Sequence, residues 1–171
     1  MMFPQIQQYL GRTISISTQF LVVLLLLRFF VIDPGLVNGQ SMEPNYYDGD
    51  YFLVNRIVYL VRAPARFDVV QLFDRAADQF FVKRIVGLPG ETVMIKHDGV
   101  YVQLTTGETI KLDESYLSSE SRTSVQPGQR TTIHVPADAY YVLGDNRLHS
   151  NDSRDFGAVH RRYIQGKIFS F

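Results

Sequence analysis

The sequence predicts a mainly β protein: an antiparallel domain of folded-over sheets or a partial barrel, behind one N-terminal transmembrane helix. Three observations lead there. Apolar residues gather in one early run, Phe20–Ile32, reading FLVVLLLLRFFVI, in which Arg28 is the only charge. After Pro34 the helical pattern gives way to short runs rich in Val, Ile, Tyr, Phe and Thr. Turn dipeptides rather than helices separate those runs, which is the pattern of antiparallel sheets that fold over or close.

The apolar run comes first in the chain. Extended back to Ile14 through the uncharged ISISTQ, it has nineteen residues. At ~1.5 Å per residue these reach ~28 Å, close to a ~30 Å hydrocarbon core. Arg28 would cost ~2.5–3.5 kcal/mol at the bilayer centre, but near the end of the run it can snorkel to the headgroups. A cleaved signal peptide should end in small residues, and FFVIDPGLVNG offers no A-x-A-like site. A buried core helix is also possible at this length. An uncleaved anchor over residues 14–33 suits the run best, with Asp33-Pro34-Gly35 ending the helix. Arg12 precedes the span and Arg56, Arg62 and Arg66 follow it, so charge alone does not orient it. The chain then divides into a segment 1–13, the anchor, and a β-domain over 34–171.

Eight strands are expected in that domain: Tyr51–Val54, Val69–Phe73, Phe80–Val86, Thr92–Ile95, Val100–Leu104, Thr131–Val135, Tyr140–Leu143 and Gly166–Phe169. Asp48-Gly49, Pro89-Gly90, Asp98-Gly99 and Pro127-Gly128 mark turns. Asp98-Gly99 between VMIKH and VYVQ is a two-residue hairpin signal, because both central positions need positive φ. Residues 105–132, rich in Ser, Thr, Glu and Gln, read as a surface excursion or small subdomain.

With 171 residues the chain suits one compact domain. Its 17 Lys+Arg balance 17 Asp+Glu, which removes the basic field that non-specific nucleic-acid binding needs. The absence of cysteine excludes disulfides, thiol nucleophiles and zinc–thiolate sites.

Three stretches are composed too specifically for generic strands and turns. Asn38–Pro44, NGQSMEP, follows the anchor; a serine in a turn limited by glycine and proline is a place where backbone N–H groups converge on an oxyanion, although a plain linker has the same composition. Phe80–Glu91, FFVKRIVGLPGE, alternates Phe81, Lys83 and Ile85 with Val82, Arg84 and Val86. One cation therefore faces what the strand buries. It is either ion-paired or snorkelling, or it is a lysine whose charged form burial disfavours. Gly144–Gly157, GDNRLHSNDSRDFG, is a salt-bridged platform or a functional loop; its aspartates lack metal-ligand spacing and His149 is solitary, so no metal is expected.

Together these stretches resemble the bacterial type I signal peptidases, the Ser/Lys leader peptidases. The resemblance rests on GQSMEP at 39–44, FVKRIVGLPGE at 81–91 and GDNRLHSNDSRDFG at 144–157, in order behind an anchor, and covers about residues 30–171. It implies a membrane-bound serine endopeptidase, single-pass, with its catalytic domain on the extracytoplasmic side. The implied enzyme cuts signal peptides from secretory preproteins after A-x-A-like sites. It works as a monomer on the lipid bilayer without cofactor, metal or nucleic acid. Ser41 is the implied nucleophile and Lys83 the implied general base. Ser150 would hold the lysine amine, and Gly39, Gln40, Asp145, Asp152 and Arg154 would support the site. Glycine at position 39 lacks the hydroxyl that some members add to the oxyanion site, which leaves the second donor open. Val37, Met42, Phe81 and Val82 are candidates for shallow apolar pockets. Two other readings remain: a non-catalytic membrane-anchored β scaffold, and another Ser/Lys processing peptidase, such as a self-cleaving repressor.

Overall fold

The computed structural model describes residues 3–30, 32–75, 78–118, 121, 123, 125 and 131–170, with side chains undescribed at 3–11, 26–30, 32 and 170. The Pro127-Gly128 turn lies outside the described residues. A 28-residue helix, α1 (Phe3–Phe30), opens the chain, starting well before the expected anchor and ending short of Asp33. The described apolar side chains Phe20–Leu25 are all exposed, which sets aside the core-helix reading. Among the described residues no helix is long and apolar enough to cross a membrane; the described side chains of α1 stop at Leu25, before the Leu26–Phe30 end of the apolar run.

Eleven strands follow among the described residues: β1 (Ile32–Leu36), β2 (Tyr51–Asn55), β3 (Val69–Asp74), β4 (Gln79–Gly87), β5 (Thr92–Lys96), β6 (Gly99–Gln103), β7 (Thr109–Lys111), β8 (Thr132–His134), β9 (Ala139–Leu143), β10 (Val159–His160) and β11 (Ile164–Ser170). Two single-turn helices, α2 (Val58–Val61) and α3 (Ser153–Phe156), interrupt them. The eight expected strands are all present, with ends shifted by two residues at most. They form two antiparallel sheets, ordered β1-β2-β11-β3-β4-β9-β10 and β7-β6-β5-β8. The mainly β, antiparallel expectation therefore holds.

One local reading needs correction. Asp33-Pro34-Gly35 does not simply terminate a helix; it is the middle of β1, pairing with Val54, Leu53 and Phe52. Strand β1 is the sheet's outer strand, where a proline without an N–H is tolerated. Gly35 belongs there because the Phe52 ring lies where a Cβ would point.

Three apolar clusters hold the layers together. One, with Val86, Val93, Val102, Val135 and Leu143, joins the two sheets. A second packs Val70, Leu72, Ile85 and Val142 with Phe81 at its edge. The third surrounds Val37, Met42, Phe52, Val54 and Val69, and it seats the segment that follows β1. Strand β4 borders all three clusters: Val86 belongs to the first, Ile85 to the second, and Val82 packs on the third.

Candidate active site

The turn carrying Ser41 is fixed from below and from the side. Met42, fully buried, plugs it into the third cluster. Asp48 Oδ1 accepts the Gly39 N–H at 2.7 Å. Across the molecule, Asn146 donates its backbone N–H to the Ser41 carbonyl at 3.0 Å and its amide to the Gln40 carbonyl at 3.1 Å. The proline-limited turn and the Gly144–Gly157 loop, about a hundred residues apart in sequence, are thus one structure.

Lys83 reaches the same place from the centre of β4. It is 2% exposed, and its Nζ donates to Ser41 Oγ at 2.7 Å and to the Val82 carbonyl at 3.0 Å. The Phe81 ring lies 5.5 Å from the amine. Burial pushes the lysine down to about 8, against the upward pull of the Asp152 and Asp145 charges. That matters for the proton. A free lysine is neutral in roughly one molecule in a thousand at pH 7.4, whereas a pKa near 8 leaves about one in five neutral.

The aspartates stay close without pairing to Lys83, because other cations occupy them. Asp145, fully buried, accepts two bonds from Arg84, at 2.8 Å from Nε and 2.6 Å from Nη2, and a third from Asn45 at 2.9 Å. Asp152 accepts from Arg154 Nε at 2.8 Å and Nη2 at 2.9 Å and from the Gly144 N–H at 3.0 Å, and it also caps α3. Asp145 with Arg84, and Asp152 with Arg154, thus form a buried, hydrogen-bonded platform close to the Ser41–Lys83 contact.

Ser150 behaves differently from the resemblance's implication. Its Oγ is buried and, among the described residues, has no hydrogen-bond partner, so it does not hold the Lys83 amine in this arrangement. His149 is exposed and its Nδ1 lies 3.2 Å from Asn146 Oδ1. The Gly39 N–H, already bound to Asp48, is not a spare oxyanion donor.

Several residues emerge only in three dimensions. A Cβ on Gly144 would collide with the Ser150 side chain and sit 2.5 Å from the Ser41 carbonyl oxygen, so only glycine lets the loop lie against the serine turn. Arg147, 2% exposed, bonds the Gly144 carbonyl at 3.1 Å, Glu114 at 2.6 Å, the Tyr116 hydroxyl at 3.0 Å and Thr123. Tyr116 lies 4.1 Å below the Arg84 guanidinium. Glu114, Tyr116 and Thr123, from the stretch 105–132, are therefore bonded onto the platform. No periodicity in that polar stretch could have announced this.

Beside Ser41 runs a groove of about 460 Å³ walled by Val37, Met42, Phe52, Phe81 and Val82, together with buried Gln71. The four pocket candidates named from sequence all line it. Polar side chains, Asn38, Gln71 and Gln79, line it as well.

A buried amine thus lies within hydrogen-bond reach of a serine hydroxyl, beside an open groove. A model of the family described as "Signal peptidase, peptidase S26" matches residues 10–171. The chain belongs to that family. A signal peptidase I from Bacillus amyloliquefaciens is 37% identical over 162 residues, spanning 91% of this chain and 80% of the relative. Signal peptidase I T from Bacillus subtilis is also 37% identical, over 85% of this chain and 74% of its own. A crystal structure of a signal peptidase I from Enterococcus faecalis V583 is 32% identical, covering 63% of this chain and 98% of that one, with a TM-score of 0.48. The type I signal peptidase resemblance read from the three motifs is thus established, and with it membership of a serine endopeptidase family.

Proposed function

We propose that this signal peptidase family member cleaves signal peptides from exported preproteins after small residues, with Ser41 as nucleophile and Lys83 as general base. The observation that carries the reading is the 2.7 Å contact between a buried lysine amine and the serine hydroxyl. Neutral Lys83 takes the Ser41 proton as Oγ bonds to the scissile carbonyl carbon, and the carbonyl π electrons move to oxygen. The ammonium so formed gives its proton to the departing amine as the C–N bond breaks, leaving a serine ester. Water then attacks the ester, Lys83 takes a proton from it, and the proton returns to Ser41 Oγ as the acid leaves. No third acid is needed to orient the base, because the Val82 carbonyl and the packed Phe81 ring already hold the amine.

The apolar side chains on the groove, Val37, Met42, Phe81 and Val82, support preference for A-x-A-like sequences, since an extended peptide presents every second side chain to one wall. We read α1 as the single-pass anchor, with the catalytic domain outside the cytoplasm. Phe20–Leu25 present apolar surface to their surroundings, and the Thr18 hydroxyl satisfies itself on the Ile14 carbonyl at 2.9 Å, as a polar residue in lipid must. Ser41 is nine residues beyond Ile32, at most ~30 Å of chain, so the nucleophile stays near the bilayer where a membrane-held signal peptide emerges.

The test is cleavage of a preprotein bearing an A-x-A site by the purified, detergent-solubilised full chain, with the new N-terminus identified by mass spectrometry. Cleavage after the second alanine, abolished in Ser41→Ala, is the expected result. Undiminished cleavage by Ser41→Ala, or none by folded wild-type protein, would overturn the proposal.

A further inference from the structure

We infer that the turn Ile57–Val61 is a second membrane contact that dips into an anionic lipid surface beside the end of α1. The inference rests on the reading of α1 as the anchor. Ile32 follows Phe30 by two residues, at most ~7 Å of chain, and it pairs with Asn55, the last residue of β2. Lys167 of β11 pairs with Asn55 from the other side and runs antiparallel, so Arg161–Tyr163, just ahead of β11, project beyond the same end of the sheet. Arg56, the first residue past β2, bonds Asp33 at 2.7 Å. The turn after β2 therefore leaves the sheet at the end where α1 joins it.

The turn is built with its apolar side outward. Tyr59 is buried, donates its hydroxyl to Asp68 at 3.0 Å, and its carbonyl accepts from Arg161 at 3.1 Å. Leu60 and Val61, by contrast, are 82% and 81% exposed, and Ile57 beside them is exposed too. Single exposed apolar residues are ordinary on a soluble surface; a pinned tip of three within five residues is not.

Four arginines ring this tip. Arg56 and Arg62 flank it in sequence and bond Asp33 and Asp68. Arg161 points its guanidinium at the Tyr59 and Ile164 carbonyls, and Arg162 at the Tyr163 hydroxyl. An apolar tip with a basic rim, at the level where an anchor emerges, fits the acyl boundary below and negatively charged headgroups around it.

The chain contains no tryptophan, so one introduced indole reports alone. The full-length protein would be reconstituted in equal mixtures of phosphatidylglycerol and phosphatidylcholine with brominated acyl chains, as Leu60→Trp, Leu24→Trp in α1, and His97→Trp in the β5–β6 hairpin. Leu24→Trp and Leu60→Trp should both be quenched about twofold or more, and His97→Trp should be unaffected. Quenching of the Leu60→Trp indole should weaken in phosphatidylcholine alone; equal quenching there overturns the anionic preference. Quenching in Leu24→Trp but not in Leu60→Trp overturns the inference while the anchor stands, and leaves the tip to a protein partner. Quenching in neither overturns both.

Discussion

Lys83 and Arg84 are neighbours on one strand, yet the regions around them treat positive charge in opposite ways. Arg84 meets Asp145 through two hydrogen bonds and lies over the Tyr116 ring, so its charge is compensated several times. Lys83, one residue earlier, is given a hydroxyl, a carbonyl and an aromatic ring. Strand alternation separates the two cations; the distribution of carboxylates then decides which charge is compensated and which is left to desolvation. Asp145 and Asp152 are near enough to pull Lys83 upward, but their oxygens are committed to arginines, and desolvation prevails.

The comparison breaks most sharply if the charge at position 83 is made permanent. Lys83→Arg should lose about 10³-fold or more in cleavage rate, because a guanidinium does not deprotonate; single-turnover kinetics would read this, and near-normal turnover would refute the base assignment. On the other side, Asp145→Ala strands the half-buried Arg84 without its carboxylate and should cost about 3 kcal/mol of stability in denaturant unfolding. A loss below 1 kcal/mol would mean that the platform is not what fixes the charge.

Gly144→Ala tests the joint between the two regions. Its methyl group displaces either Ser150 or the Ser41 carbonyl, and the expected loss is about 10²-fold in kcat with little change in KM. Lys83→Met should then exchange activity for stability. The folded lysine titrates at about 8 and a free one near 10.5, so between these values the unfolded chain binds more protons and wild-type stability rises with pH. Below pH 8 the buried ammonium costs the wild type about 3 kcal/mol, which the methionine variant avoids; its advantage should shrink as pH climbs towards 10.5. The wild-type kcat/KM should likewise rise with pH towards a limb near 8. The smallest effect belongs to Ser150→Ala, which removes an unpartnered buried hydroxyl and should change stability by about 1 kcal/mol or less. A rate loss far beyond that small stability change would show that the hydroxyl turns towards Lys83 when substrate binds.

Much of this was legible beforehand where periodicity speaks. The strands of both sheets announce themselves by β-branched runs and turn dipeptides, and Lys83 by alternating with its neighbours. Strand β1 was hidden because Asp33-Pro34-Gly35 reads as a helix stop, and only its place at the sheet's edge makes proline acceptable there. The attachment of Glu114, Tyr116 and Thr123 was hidden for a different reason. The polar sequence around them has no period, and their partner Arg147 is recognisable only once the Gly144–Gly157 loop has folded over the serine turn. The Ser41–Lys83 pairing came from likeness of motifs, since no local rule brings residues 42 apart within 2.7 Å.

The row Ile32–Asn55–Lys167–Val70–Lys83 crosses five strands without a step. Four interstrand spacings of ~4.8 Å place Lys83 at most about 19 Å sideways from the exit of α1. The sheet thus works as a ruler: it sets the sideways distance between Lys83 and the strand that follows α1 in the chain.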